Sequence, residues 1–469
     1  MISPKRARLK FGVGVLVVVA LSAGLWGLGQ WKPFAYKWPS KWDPRVAKLA
    51  GYVERRTKFR FEHAVKTRFL HSKEFDKLVT DDKSDLSQED QDFYDSTSLL
   101  LRTLGVAKGE VDLFKDQNTL NAGNILAYYS PEDREMVIRL ADDKDDGSKL
   151  SPSLRGTVVH ELTHALQDQI FGLSRIRENV IDPGQDEALT ALIEGHAMAV
   201  EEAYASDNFS DEERQQYEDG TTAADDPEVA AVPEIVSAQQ ISPYVFGPTF
   251  VEALQREGRS ALLDAFLKKQ PKSLEQTILP SKYFAGDDPK TIEEPKTPKH
   301  AKAAVSGQIS QLDTFFLLVS TWGAPEALRL SDLWGNAAYV GYRQHDGFCA
   351  TINMRGDNES ATKELAEAFG EWAKDPSRKD ASVTSHGDYF SISACDPGPK
   401  ADPTLPTADD TNQLFWRSSD IPYIWRSEPG VDAECVSSGL YYEFTAVELV
   451  NDSRVIDSYN DLLSSCRRN

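Results

Sequence analysis

A chain of 469 residues, 40% hydrophobic and 27% charged, has enough apolar material for more than one packed domain. Its formal net charge is −22, and residues 1–34 carry Lys5, Arg6, Arg8, Lys10 and Lys32 without an acid, so the remainder stands at −27. A surface of that sign repels phosphate backbones and anionic headgroups, which argues against nucleic acid as a partner.

In chain order, residues 11–29 form a run of 19 without a charge, about 28 Å long as a helix and close to the thickness of a bilayer core. The basic flank before it predicts a cytoplasmic N-terminus, with everything after residue 30 outside. Ala20-Leu21-Ser22 would allow a cleaved signal peptide instead. The length of the run and the aromatics Trp26, Trp31, Phe34 and Tyr36 favour an uncleaved anchor, and no cysteine follows closely enough for a lipid anchor. Three strands are expected next, at Val65 to Leu70, Ile125 to Tyr129 and Met136 to Leu140. The last two form a hairpin around Ser130-Pro131-Glu132-Asp133.

Ser151-Pro152 then reads as a helix start, a capping hydroxyl followed by proline at the first helical position. That helix carries His160-Glu161-Leu162-Thr163-His164. Four residues make about one turn, so His160 and His164 stack on one face and can share a zinc ion. Glu161 lies about 100° around the helix, beside such an ion, where its carboxylate can take a proton from water. Asp168, a further turn on, is placed either to orient a ligand histidine through a hydrogen bond or to sit exposed near the helix end.

A third ligand is sought downstream, in the apolar stretch Ala188 to Val200, where only Glu194 and His196 can bind a metal. Their side chains point about 200° apart on a helix. The wheel places His196 with Leu189, Leu192, Ile193 and Val200, and Glu194 with Glu187 and Glu201, which favours a solvated Glu194. Thr190, Ala191, Gly195 and Met198 also surround Glu194, however, and Gly195 leaves room for a close approach by the histidine helix. The residues alone leave both open.

His160 to Asp168, HELTHALQD, resembles the HELTHAVTD stretch of the thermolysin-like gluzincins, which take a third ligand from a glutamate on a following helix. The longer string HELTHALQDQ with ALxEGxA resembles a group of bacterial envelope proteins regarded as metallopeptidases. On that resemblance Glu194 is the third zinc ligand. Tyr244, Gly247, Phe250 and Val251 match a YxxGxxFV block of the same group. Ser273-Leu274-Glu275-Gln276 through Pro280, Lys282 and Tyr283 match its STEQxLHPxKY block, with Leu279 where the group usually has histidine. The matches imply Tyr244 and Tyr283 as donors for a developing oxyanion. His300, Arg343 and His345 are candidates by chemistry alone. Glu194 lies 30 residues after His164, farther than the ligand spacing of thermolysin, so the resemblance implies the active-site arrangement rather than that whole fold.

Segments 205–231 and 284–308 read as exposed loops, and a helix is expected near 309–321. Further on, strands are expected at Ala338 to Tyr342, Cys349 to Asn353 and Tyr389 to Ala394, with a helix over Ala361 to Trp372. All four cysteines lie in the last quarter, and two disulfides are expected, Cys349 with Cys395 and Cys435 with Cys466. The expected fold class is α+β: an anchor over residues 1–35, a zincin-like catalytic domain over 36–325 that is mainly helical after a small sheet, and a small disulfide-bearing α+β domain over 326–469. The expected function is an extracytoplasmic, membrane-anchored zinc peptidase acting on peptides or proteins. The alternatives are an envelope binding or scaffold protein with a structural metal site, and a hydrolase of non-peptide amides in the cell wall. Oligomeric state is not legible.

Overall fold

The computed structural model describes residues 38–140, 147–178, 180, 183–219, 226–344 and 347–467. The expected anchor at 11–29 and His345 lie outside them. Among the described residues no helix is long and apolar enough to cross a membrane. The fold is α+β, predominantly helical, and the chain separates into two compact units. Residues up to Asp85, Asp116–Asn179 and His196–Val232 form the first, while Leu86–Lys115, Val180–Gly195 and Pro233–Asn469 form the second.

In the first unit, β1 (Lys66–Leu70), β2 (Ala127–Ser130) and β3 (Glu135–Arg139) make a sheet in the order β1-β3-β2. β1 runs parallel to β3, and β2 and β3 form the expected hairpin. This leaves β2 on the edge. Against the sheet lies the helix Pro152–Phe171, whose Val158, Val159, Leu162, Ala165 and Leu166 share one core with Ala127, Tyr129, Met136 and Ile138. Leu49 and Val53 from the helix Ala47–Thr57 complete it, together with Val200 and Tyr204 from the helix Pro183–Asn208. A buried leucine such as Leu162 is worth about 2–5 kcal/mol against alanine.

The second unit holds five antiparallel strands: β4 (Lys302–Gln308), β5 (Trp334–Gln344), β6 (Gly347–Gly356), β7 (Lys379–Ser385) and β8 (Phe390–Cys395), in the order β4-β5-β6-β8-β7. The expected helix over 361–372 is Glu359–Trp372, capped by Asn358, and it packs Phe369 on Phe390. Both expected disulfides are present. Cys349 and Cys395 face each other across β6 and β8, and Cys435–Cys466 ties the helix Ala433–Glu443 to the end of the helix Arg454–Ser465.

Three expectations about the chain's organisation differ from the structure. Residues 302–308 are not loop but β4, the edge strand that pairs with β5. The sheet therefore begins before residue 326, and the compact units do not divide at 325/326. Likewise the described part of segment 205–231 is largely helical, with the helix Asp211–Asp219 and a short turn of helix at Pro227–Ala230.

The second unit is held by a buried ion pair as well as by its core. Arg102, on the helix Gln88–Thr103, donates to both carboxylate oxygens of Asp396 at 2.7 Å, and both side chains are largely buried. Burial alone would raise the Asp396 pKa, but the hydrogen bonds from Arg102 and Gly398 N–H outweigh it and hold the carboxyl below its ordinary value. A lowered carboxyl pKa adds stability that is present above the unfolded value and lost as pH falls through the folded one. Asp396→Asn is therefore expected to cost about 3 kcal/mol at pH 7, because it leaves Arg102 buried without its counter-charge. The gap to wild type should close on acidification below the ordinary aspartate range. Denaturant melts of both proteins across that range check this, and a gap independent of pH would contradict it.

Candidate metal centre

Ser151 Oγ accepts from Leu154 N–H at 3.2 Å and Pro152 opens the helix, so the Pro152–Phe171 helix starts where its sequence signal lies. Gly172, in the left-handed region, closes it. The helix is buried on nearly every side, which explains why its apolar residues follow no single stripe. His160, Glu161 and His164 are 1%, 0% and 2% exposed. One ligand atom from each lies within 4.8 Å of the others, and the two imidazoles stand 4.6 Å apart at 77°.

With the Gln167 amide oriented as it is, the hydrogen-bond partners assign the ring hydrogens. His164 Nδ1 lies 2.9 Å from Gln167 Oε1, which can only accept, so that Nδ1 carries the hydrogen. Gln167 Nε2 lies 3.0 Å from His196 Nδ1 and can only donate, so His196 Nδ1 is the bare nitrogen. On His160 the Nδ1 faces Glu201 Oε2 at 3.0 Å and donates to that carboxylate. With Nδ1 protonated in a neutral ring, Nε2 is the nitrogen through which His160 and His164 would bind a metal.

Glu161 is turned differently. Its Oε2 accepts the backbone N–H of Tyr129 at 2.7 Å, from edge strand β2, so the helix and the strand together fix the carboxylate. Asp168 was expected to orient a ligand histidine or to sit exposed, and it does neither. It accepts from Tyr129 Oη at 2.9 Å and from Leu173 N–H at 3.0 Å, bracing β2 and the helix end. Burial raises its pKa, and these bonds only partly offset that. Glu201 and Gln167 hold the histidines instead. The sequence did contain a signal for Gln167, at i+3 from His164, but Glu201 could be found only by knowing how the two helices cross.

Glu194 and His196 both lie on the helix Pro183–Asn208, at 2% and 5% exposure. The wheel-based picture of a solvated Glu194 is thereby overturned: its carboxylate is out of water and must be compensated. The helix contributes residues to 195 to the second unit and residues from 196 to the first. Gly195 has a close neighbour that the sequence did not indicate. Within the second unit it meets Gly247 of the helix Glu234–Glu257, backbone against backbone, and a Cβ on Gly195 would stand 2.1 Å from the Gly247 carbonyl carbon.

The tyrosines singled out by motif belong to the second unit. Tyr244 is buried on the Glu234–Glu257 helix. Tyr283 is buried too, and its hydroxyl already donates to the Lys269 carbonyl at 2.6 Å, with burial pushing its pKa up to about 12. Lys282 of the same block bridges Glu275 at 2.5 Å and Asp357 at 2.6 Å. The block's charged residues thus serve the packing of that unit. Arg343 is the penultimate residue of β5, and His300 lies two residues before β4.

No protein-family model matches the chain, and no curated protein or solved structure is detectably similar to it.

Two buried imidazoles with ligand atoms close together, beside a carboxylate, suit zinc better than a hard cation such as calcium or magnesium, which prefers all-oxygen ligands. The residues present fit the ion that the motif implies.

Proposed function

We propose that this protein is a zinc-dependent peptidase with a gluzincin-like active site in a zincin-like domain. Its hydrophilic bulk would be held outside the cytoplasm by residues 11–29. The observation that carries the proposal is the buried His160-Glu161-His164 cluster, with each ring tied through Nδ1. His160, His164 and Glu194 would hold the ion. Glu194 is assigned through the motif resemblance and its burial. His196 accepts from Gln167 at Nδ1, so in a neutral ring its Nε2 carries the hydrogen, which weighs against it as a ligand and against the closed four-ligand site of a structural zinc.

Bound zinc supplies Lewis acidity, polarising a carbonyl and lowering the pKa of water to about 7. The chain's own residues do the rest. Glu161, steadied by Tyr129 N–H, takes a proton from the attacking water and returns it to the leaving amine. The burial of the cluster excludes bulk water and strengthens each polar contact. β2 is an edge strand, the kind of element that can pair with an extended peptide, so the substrate class proposed is a peptide or protein strand. Tyr244 remains the motif-derived candidate for steadying the oxyanion, and the existing hydrogen bond of Tyr283 weighs against its sharing that task.

The test is digestion of a broad peptide library by the purified protein. Cleavage that stops with chelator and returns with zinc is expected. Cleavage indifferent to chelator would overturn the proposal, and none at all would favour the binding-protein alternative.

A further inference from the structure

We infer that the helix Asp211–Asp219 is a working part of the metal centre, in which Tyr217 acts through Glu201 as a positioning residue for His160. The inference rests on the zinc reading above. Four observations within the first unit carry it.

The sequence of this helix, DEERQQYED, is strongly hydrophilic and has no core face of its own, yet Tyr217 is 6% exposed. Its hydroxyl donates to Glu201 Oε1 at 2.9 Å, while the other oxygen of the same carboxylate takes the His160 Nδ1 hydrogen at 3.0 Å. Glu201 is itself 2% exposed, so both its oxygens are committed in a dry setting where each bond holds geometry firmly. A carboxylate with one oxygen pinned by a phenol cannot swing away from the imidazole.

Room for this arrangement is provided at Gly156, one helical turn before His160. A Cβ there would stand 2.6 Å from Tyr217 Cε2 and 2.9 Å from Glu201 Oε1. Finally, Arg155 pairs with Glu213 at 2.5 Å and stacks over Phe209 at 4.8 Å, docking the hydrophilic helix onto the histidine helix. Removing the phenol hydroxyl should free Glu201, let the His160 ring rotate and weaken the hold on the ion, although Tyr217 contributes no ligand atom.

The experiment measures zinc affinity by chelator competition on the purified full-length protein, wild type against Tyr217→Phe, Glu201→Gln, their combination and Gly156→Ala. The visible absorption of the cobalt-substituted forms is recorded alongside. Glu201→Gln is expected to weaken binding roughly 10- to 100-fold, and Tyr217→Phe by up to about tenfold with a shifted cobalt band. The two should be strongly non-additive, since the phenol acts through the carboxylate. Gly156→Ala should weaken binding in the same direction by displacing that pair. Wild-type affinity and an unshifted band in Tyr217→Phe would overturn the inference even if the metal-free protein melts lower, because that outcome means a purely structural tyrosine. Full additivity with Glu201→Gln would overturn it as well. A wild type that binds no metal removes the zinc reading itself and this inference with it, a result separable from the others.

Discussion

Gly195→Ala is expected to damage the fold as severely as any single-methyl change among the described glycines. The added Cβ would meet backbone, 2.1 Å from the Gly247 carbonyl carbon and 2.2 Å from its oxygen, and backbone cannot step aside as a flexible side chain can. The reciprocal change is equally blocked, since a Cβ on Gly247 would stand 2.1 Å from the Ala191 carbonyl oxygen. The helices Pro183–Asn208 and Glu234–Glu257 would have to separate, at a cost of about 3 kcal/mol or more. Gly370→Ala is the control. It lies inside the helix Glu359–Trp372 with nothing within 4 Å of a built Cβ, so alanine there should be neutral or stabilising by up to about 1 kcal/mol. Thermal melts of the three variants against wild type check this. Unchanged melting of Gly195→Ala would mean that the two helices do not cross where described.

The second large effect is chemical. Glu161→Gln keeps the size of the side chain and leaves both histidines with their Nδ1 partners, Glu201 and Gln167. It removes only the group able to accept a proton from water. Peptide cleavage should fall about 10²- to 10⁴-fold, the usual cost of losing a general base, or about 3–5 kcal/mol of barrier. Zinc content should stay near wild type. Equal cleavage by both proteins would place the chemistry elsewhere.

Much of the site was legible because its chemistry is local. His160, Glu161 and His164 are brought together by one turn of one helix, and Ser151-Pro152 announced where that helix begins. The hairpin of β2 and β3 and the central strands β5, β6 and β8 were legible for the same reason, since alternation and turn residues act over short spans. Across β6 and β8 the register then brought Cys349 opposite Cys395.

What escaped depends on partners distant in sequence. Glu201 and Tyr217 look like surface residues of acidic segments until the packing of three helices buries them. Strand β4 lies in a stretch rich in lysine and small residues and exists because β5 offers an edge to pair with. The helix Ala408–Ser427 contains Pro422, which hides it from a propensity reading, although its capping box at Thr407 and Asp410 was there to be seen. Glu194 misled the helical wheel for a related reason: a helix buried on several sides has no solvent face by which to judge it.

The most direct measurement is the metal content of the purified protein, wild type against His160→Ala and His164→Ala, after dialysis against zinc-free buffer. About one zinc per wild-type chain is predicted, with most of it lost in either variant. Full retention of zinc by both variants, or a wild type that holds none after zinc loading, would contradict a metal centre at this helix.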